Sequence, residues 1–398
     1  MSTVMNNLDV LGLPVAETIQ KRSFAVGAAF GVLAVIGSFV GLDQFYRSYL
    51  LAYMDWLGVT LGCLALLMLV HLTGGDWGHA IRRILEAGCR TLWLMIVLFV
   101  PIIFGRTRLY IWARPEAVAH DAQLQRITQL YLTHWGFLFR AAIYFVIWGL
   151  LVFFLTRWSD AQDSPPLRPR PGSLRALSAP GLILYGFTIS FAAIDWVMSL
   201  DPRWISTIYG LIFVAGEALS ALCFVVIVVA ILVSYQPMSE YMRHKYVHDY
   251  GNLMLAFIML WAYFSFSQWL IIWAGNLPDE ISWYMARLSG GWAWIGLLLV
   301  LFHFAVPFAM LLSRSFKRKI GSLVWLASWV LFMRYVDLFW HIEPVFHPAF
   351  HVSWLDIVLP LAIGGLWLAV FFGNLKARPL LPLYDPQTQA VLEAAHES

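Results

Sequence analysis

The sequence predicts an all-α, polytopic membrane protein of ten transmembrane helices. Three observations predict it. Of 398 residues, 61% are hydrophobic and only 12% charged, about half the roughly 25% of an average soluble domain; so few charges cannot cover a surface that faces water. The apolar residues gather into ten runs long enough for a hydrocarbon core, which takes about 20 residues to cross. Aromatic side chains make up 16% of the chain, with 20 Trp, the residues that settle at bilayer interfaces. The formal net charge of +3 is small and points to no nucleic-acid partner.

The runs cover roughly 23–42, 51–71, 88–105, 134–156, 180–199, 206–233, 251–274, 290–312, 321–341 and 354–374. The first lacks a short apolar core followed by a small-residue cleavage site, so it reads as a retained helix. Between the third and fourth, residues 106–133 are long for a structureless loop. Leu124, Ile127, Leu130 and Tyr131 recur there at helical spacing after Pro115, which predicts a short amphipathic helix on the outer face. Residues 158–179 are Pro-rich and basic and read as an extended linker between two halves. With the N-terminus inside, 17 Lys and Arg fall on the cytoplasmic side, among them Arg82, Arg83, Arg90, Arg318 and Lys319, against 7 outside. Arg140 and Arg334 lie within spans. The positive-inside rule then places both termini in the cytoplasm of a bacterial inner-membrane protein.

Ionisable groups inside spans cost several kcal/mol unless paired or hydrated, and the chain carries many. Asp55, His134, Arg140, Asp195, Arg334 and Asp337 fall in the outer half of this topology, Glu217 and His303 near the middle, and His71 at the inner surface. A graded series of this kind is what a proton path needs. Arg334 and Asp337 are spaced i, i+3, with His341 four further on, so one helix face holds all three. A neutralised ion pair is the simple reading of Arg334 and Asp337, and Arg140 is a matching partner for Asp195. Glu217 has no cation within a turn of its own helix; either another helix supplies a partner or it stays neutral. His303 precedes Pro307, which frees a backbone carbonyl and favours a kink.

Cys63, Cys89 and Cys223 sit in or beside apolar runs and form no CxxC or CxxCH motif. Cysteine-ligated iron–sulfur clusters and covalent haem c are thereby disfavoured in this chain. His71, His134, His303 and His341 do not offer the facing pairs that a b-type haem requires. His341, His347 and His351 read as interfacial histidines rather than a metal site. Gln268 and Ser267 offer hydrogen bonds either to a neighbouring helix or to a quinone carbonyl.

Three strings carry a family resemblance: His71-Leu-Thr-Gly-Gly-Asp-Trp-Gly with Arg82-Arg83-Ile-Leu-Glu86; Asp195-Trp-Val-Met-Ser-Leu-Asp201 through Gly210; and Trp261 through Ser267-Gln268 to Asn276-Leu-Pro-Asp-Glu280. Over essentially its whole length the chain resembles the smaller of the two NrfD-like membrane subunits of alternative complex III, a respiratory quinol:electron-acceptor oxidoreductase. The resemblance implies one integral membrane domain over 1–398. Its two four-helix bundles would lie at about 51–199 and 206–341, with flanking helices at about 23–42 and 354–374. It also implies partners: a second NrfD-like subunit, an iron–sulfur and molybdopterin-family-like peripheral subunit, multihaem and monohaem cytochromes c, and a terminal oxidase. Haem c and iron–sulfur clusters would then reside in those partners, and quinol would be the small-molecule ligand. The chain would be non-catalytic alone. The proton-path candidates are Asp55, His71, His134, Arg140, Asp195, Glu217, His303, Arg334 and Asp337; the quinone-contact candidates are His134, Asp195 and Gln268. Two other classes stay open: a stand-alone proton-coupled transporter, and a structural anchor in which the buried acids are mutually neutralised.

Overall fold

The computed structural model describes residues 13–161, 173–235 and 238–381. Among these every regular element is helical: α1 (Leu13–Val40), α2 (Leu42–Thr73), α3 (Asp76–Cys89), α4 (Leu92–Leu98), α5 (Val100–Leu109), α6 (Pro115–Ala119), α7 (Ala122–Leu130), α8 (His134–Asp160), α9 (Ser173–Trp196), α10 (Tyr209–Leu232), α11 (Met238–Tyr241), α12 (His244–Gly275), α13 (Pro278–Leu288), α14 (Trp292–Leu298), α15 (Val306–Leu312), α16 (Arg314–Lys317), α17 (Ile320–Ile342) and α18 (Leu355–Lys376), with short 3₁₀ turns between some of them. A π-helical stretch, Leu299–Ala305, joins α14 to α15.

Nine of the helical runs are long and apolar enough to cross a membrane. Their outward faces are apolar as well: Ile36, Phe39, Tyr263, Trp294 and Phe302 all stand exposed. Such a surface suits hydrocarbon and not water, and the chain is a multi-pass membrane protein. The third predicted run, 88–105, differs from expectation. Trp77–Leu98 and Val100–Leu109 together pass the same test, but they meet at a bend of 53°. Pro101, near the start of α5, removes a backbone donor there, the usual cause of a sharp kink. Counted as one broken span, they bring the number among the described residues to ten by length and composition.

Helices α8 and α9 extend further than predicted, to Asp160 and from Ser173. The middle of the expected linker, 162–172, lies outside the described residues. The expected single surface helix is two short ones, α6 and α7; in α7 Leu124 is buried while Leu130 is exposed.

Helices α2 and α10 form the centre and pack on each other. Helices α3, α9 and α18 also line α2, and α9, α12 and α17 line α10; α1 lies along α18. Small residues set how close these helices come. A Cβ on Gly62 of α2 would stand 2.0 Å from the Glu217 carbonyl oxygen of α10, and one on Gly27 of α1 would stand 2.6 Å from the backbone nitrogen of Leu366. Gly62→Val must therefore push α2 off α10. The expected loss is about 1–3 kcal/mol, the usual cost of overpacking, read as a lowered thermal transition in detergent. A variant as stable as the parent would contradict the close crossing.

The connections are pinned by polar contacts. Gly290, at φ +59°, lies against the Pro348 carbonyl, and its own carbonyl accepts from Phe350 N at 2.7 Å. A side chain there would be strained and would collide.

Candidate functional site

A buried polar cluster crosses the middle of the helix assembly. Glu217, on α10, sits where Gly58 and Gly62 bring α2 close. Its Oε2 accepts from the Tyr185 hydroxyl of α9 at 2.7 Å, while Oε1 is buried without a hydrogen-bond partner among the described residues. From α17, Arg334 reaches across α10: its Cζ lies 5.4 Å from the Phe213 ring centre, and a Cβ on Gly216 would come within 2.3 Å of it. Gly216 is thus the gap that lets a guanidinium lie beside Glu217. Arg334 donates to Asp337 Oδ2, which also accepts from Trp261 Nε1 of α12 at 3.2 Å. His341 Nε2 is 3.7 Å from Asp337 Oδ1, and its Nδ1 is 3.2 Å from the Tyr209 hydroxyl.

The shared face expected for Arg334, Asp337 and His341 is present, and all three are buried. Asp55, three residues before Gly58 on α2, is partly buried and within electrostatic reach of Arg334. His303 is fully buried, with both ring nitrogens lacking a hydrogen-bond partner among the described residues and its ring edge-on to Trp261 at 4.3 Å. It lies in the π-helical stretch four residues before Pro307. The carbonyl freed by that proline is absorbed by a π-bulge, a feature often found at functional sites.

A second group lies at the end of the helices where α8 begins and α9 ends. Arg140 forks onto Asp195 at 2.8 and 2.9 Å, and Tyr144, one turn further along α8, donates to the same carboxylate at 2.7 Å. Arg140 also donates to the Tyr131 carbonyl and lies 3.9 Å from that ring's centre. The expected Arg140–Asp195 pair is therefore formed. Nearby, Gln268 is buried and accepts from the Ser206 hydroxyl at 3.2 Å, and Trp204 Nε1 donates to the Glu280 carbonyl at 3.1 Å. The strings 195–210 and 261–280 thus fold onto each other. His134 is not part of either group. It is exposed in the first turn of α8, with its ring 6.3 Å from that of Trp112.

At the same end, Asp121 caps α7, accepting from Gln123 N and Leu124 N, and pairs with Arg203 at 2.5 Å. The hydrogen bond from Arg203 holds the Asp121 carboxyl below the usual carboxylate range. A lowered folded-state value means that the cap contributes fully above the ordinary carboxylate range and is lost as pH falls through the lowered value. Hydrogen exchange over 122–130 is expected to accelerate at that acid pH, and at all pH in Asp121→Ala. Equal protection in parent and variant would refute this.

Several participants escape a reading along the sequence. Glu343, just after α17, is fully buried with neither carboxylate oxygen hydrogen-bonded, and His347 Nε2 lies 3.6 Å away. His347 Nε2 also meets Gln44 Oε1 at 3.1 Å. Asp356 accepts from the Ser48 hydroxyl at 2.5 Å and from Ser353 N at 2.7 Å. Tyr185 and Tyr144 carry no formal charge, so a search for ionisable residues at neutral pH passes over them.

At the opposite end, His71 Nε2 is buried and has no hydrogen-bond partner among the described residues, and it feels the charges of Arg82 and Glu86. Glu86 is held by Arg82, Arg83 and Ser159, and Asp160 by Arg90 and Arg378. Four of the basic residues expected on one side, Arg82, Arg83, Arg90 and Arg378, thus meet around these two acids. Among the described residues no group of three or more His, Cys, Asp or Glu is arranged to hold a metal ion. No protein-family model and no curated protein matches the chain.

Proposed function

We propose that this chain is a membrane subunit of a respiratory quinol:cytochrome c oxidoreductase of the alternative complex III type. In this reading it anchors redox subunits and carries protons. The observation that carries the reading is the Tyr185–Glu217 and Arg334–Asp337 cluster, a set of polar groups supplied by three separate helices and buried among them. Glu217 keeps one oxygen free for a proton or a water, which a purely neutralised pair does not require. The meeting of the strings 195–210 and 261–280, through Ser206–Gln268 and Trp204–Glu280, supports the same reading, because these strings carry the resemblance. Helices α2–α5, α8 and α9 would form one bundle and α10, α12, α14–α15 and α17 the other, with the basic end in the cytoplasm. Quinol would be oxidised near Asp195 and Gln268, with electrons passing to iron–sulfur and haem c groups in partner subunits.

A second reading, the structural anchor, is favoured by the number of buried acids already matched by arginine: Asp337, Asp195 and Glu86. Purification of the native assembly through a tag on this chain tests the first reading. Co-purifying haem c absorbance and iron–sulfur paramagnetic signals are expected. A chain that emerges from its native membrane with no redox partner would overturn it.

A further inference from the structure

The connection from α17 to α18 buries a carboxyl group against the start of α2. Glu343, the residue after α17, is fully buried, and neither of its carboxylate oxygens has a hydrogen-bond partner among the described residues. We propose that Glu343 binds a proton and exchanges it with the water at that end of the protein through His347 and His351. A carboxylate held out of water without hydrogen bonds is costly, and taking up a proton removes that cost. The charged and titratable groups around Glu343 come from four elements. They are His347 from its own connection, Arg47 from α2, Asp356 from α18 and Tyr335 from α17.

The exchange route is built on one nitrogen. His347 Nε2 lies 3.6 Å from Glu343 Oε2, 3.1 Å from Gln44 Oε1 and 3.4 Å from Arg47 Nη1. The Gln44 amide is oriented by its other atom: Nε2 donates to the Ser48 hydroxyl at 3.0 Å and to Asp356 Oδ1 at 3.4 Å. That leaves Oε1 turned to His347. With a proton on Nε2 the ring donates to Gln44; without it the ring accepts from Arg47. The nitrogen thus has a partner in both states, as a group that passes protons requires. Burial and the Arg47 charge hold the His347 imidazolium below the usual histidine range, so the ring does not trap the proton near neutral pH. His347 is partly exposed, and His351, its ring centre 4.8 Å from that of His347, stands in the open. A proton taken from water by His347 Nδ1, directly or by way of His351, makes an imidazolium. Its Nε2 proton then moves to Glu343 Oε2, directly or over one water, leaving a neutral imidazole and a neutral carboxyl. On the inner side, Tyr335 feels the charges of Asp356, Asp55 and Glu343, and its hydroxyl donates to the Asp356 backbone carbonyl at 2.5 Å. Asp55 in turn feels Arg334. The use of the route in transport rests on the function proposed above; the binding of the proton does not.

Infrared spectroscopy of the full chain in phosphatidylcholine discs tests this. A carboxylic-acid carbonyl band is expected that grows as the bathing pH falls and is missing from Glu343→Gln. After a pH jump the band should equilibrate roughly tenfold or more slowly in His347→Gln. It should follow the parent in His120→Gln, which alters an exposed histidine after α6. If Glu343→Gln does not fold, Glu343→Asp should keep an acid band at a shifted position. A band untouched by either replacement of Glu343, or equal rates in the parent and His347→Gln, would overturn the proposal. A band abolished at constant pH when sodium replaces potassium would also overturn it, reassigning the carboxyl to a metal cation. No redox partner enters the measurement, so loss of the respiratory reading would leave this result standing, and the reverse.

Discussion

Replacing Arg334 with Leu is expected to destabilise the protein by about 3–5 kcal/mol, the usual cost of stranding one partner of a buried ion pair. Asp337 would keep only Trp261 Nε1 and the more distant His341 as partners, within helices that exclude water. Asp55 and Glu217 would lose the favourable field of the Arg334 guanidinium. Leu also lacks the flat head that slides over Gly216. The double replacement Arg334→Met, Asp337→Leu removes both charges and is expected to restore most of the stability, because a well-packed apolar pair often matches a buried ion pair. Denaturation in mixed micelles measures both. If the single variant unfolds like the parent, Arg334 is hydrated in the native protein and the buried pairing is wrong. The double variant also separates stability from the proposed function: restored folding with lost proton release in the native assembly would support a proton-carrying role for the two charges over a role in insertion.

Glu217→Gln is expected to keep the fold and, on the function proposed above, to slow quinol turnover and proton release in the native assembly by about a hundredfold or more, the scale of a lost acid–base group. Gln has nearly the same shape and can still accept from the Tyr185 hydroxyl, so α9 and α10 remain tied. What it cannot do is take up and release a proton at neutral pH. Tyr185→Phe removes the bond but leaves the carboxyl, and a smaller effect is expected. Assembly, read from the haem c content of the purified complex, should be unchanged in both. Parent-like turnover in Glu217→Gln would leave Glu217 a structural residue and favour the anchor reading.

The sequence by itself determined the class of protein, the positions of most spans and the pairing within α17. Each of these is a local property. Whether a run of 20 or so residues is apolar depends on composition alone, and residues three and four apart share a helix face wherever that helix is placed. The Arg140–Asp195 pair was legible as well, since α8 and α9 are neighbours in sequence and only one arginine lies within α8 near that end.

The tertiary structure decided the rest. That Tyr185 meets Glu217, that Arg334 lies across Gly216, and that Glu343 and Asp356 end near Gln44 and Ser48 all depend on how each helix is rotated and how closely it crosses its neighbour. Those quantities are set by contacts between distant residues, such as Gly62 against the Glu217 carbonyl, and no local period records them. The bend at Phe99 and the π-bulge at His303 belong to the same class. A proline announces that a helix must adjust, but the packing around it decides whether the adjustment is a 53° kink or an extra residue in a turn. The same limit applies to His134, which was a candidate by its depth at the start of a span and whose side chain is exposed.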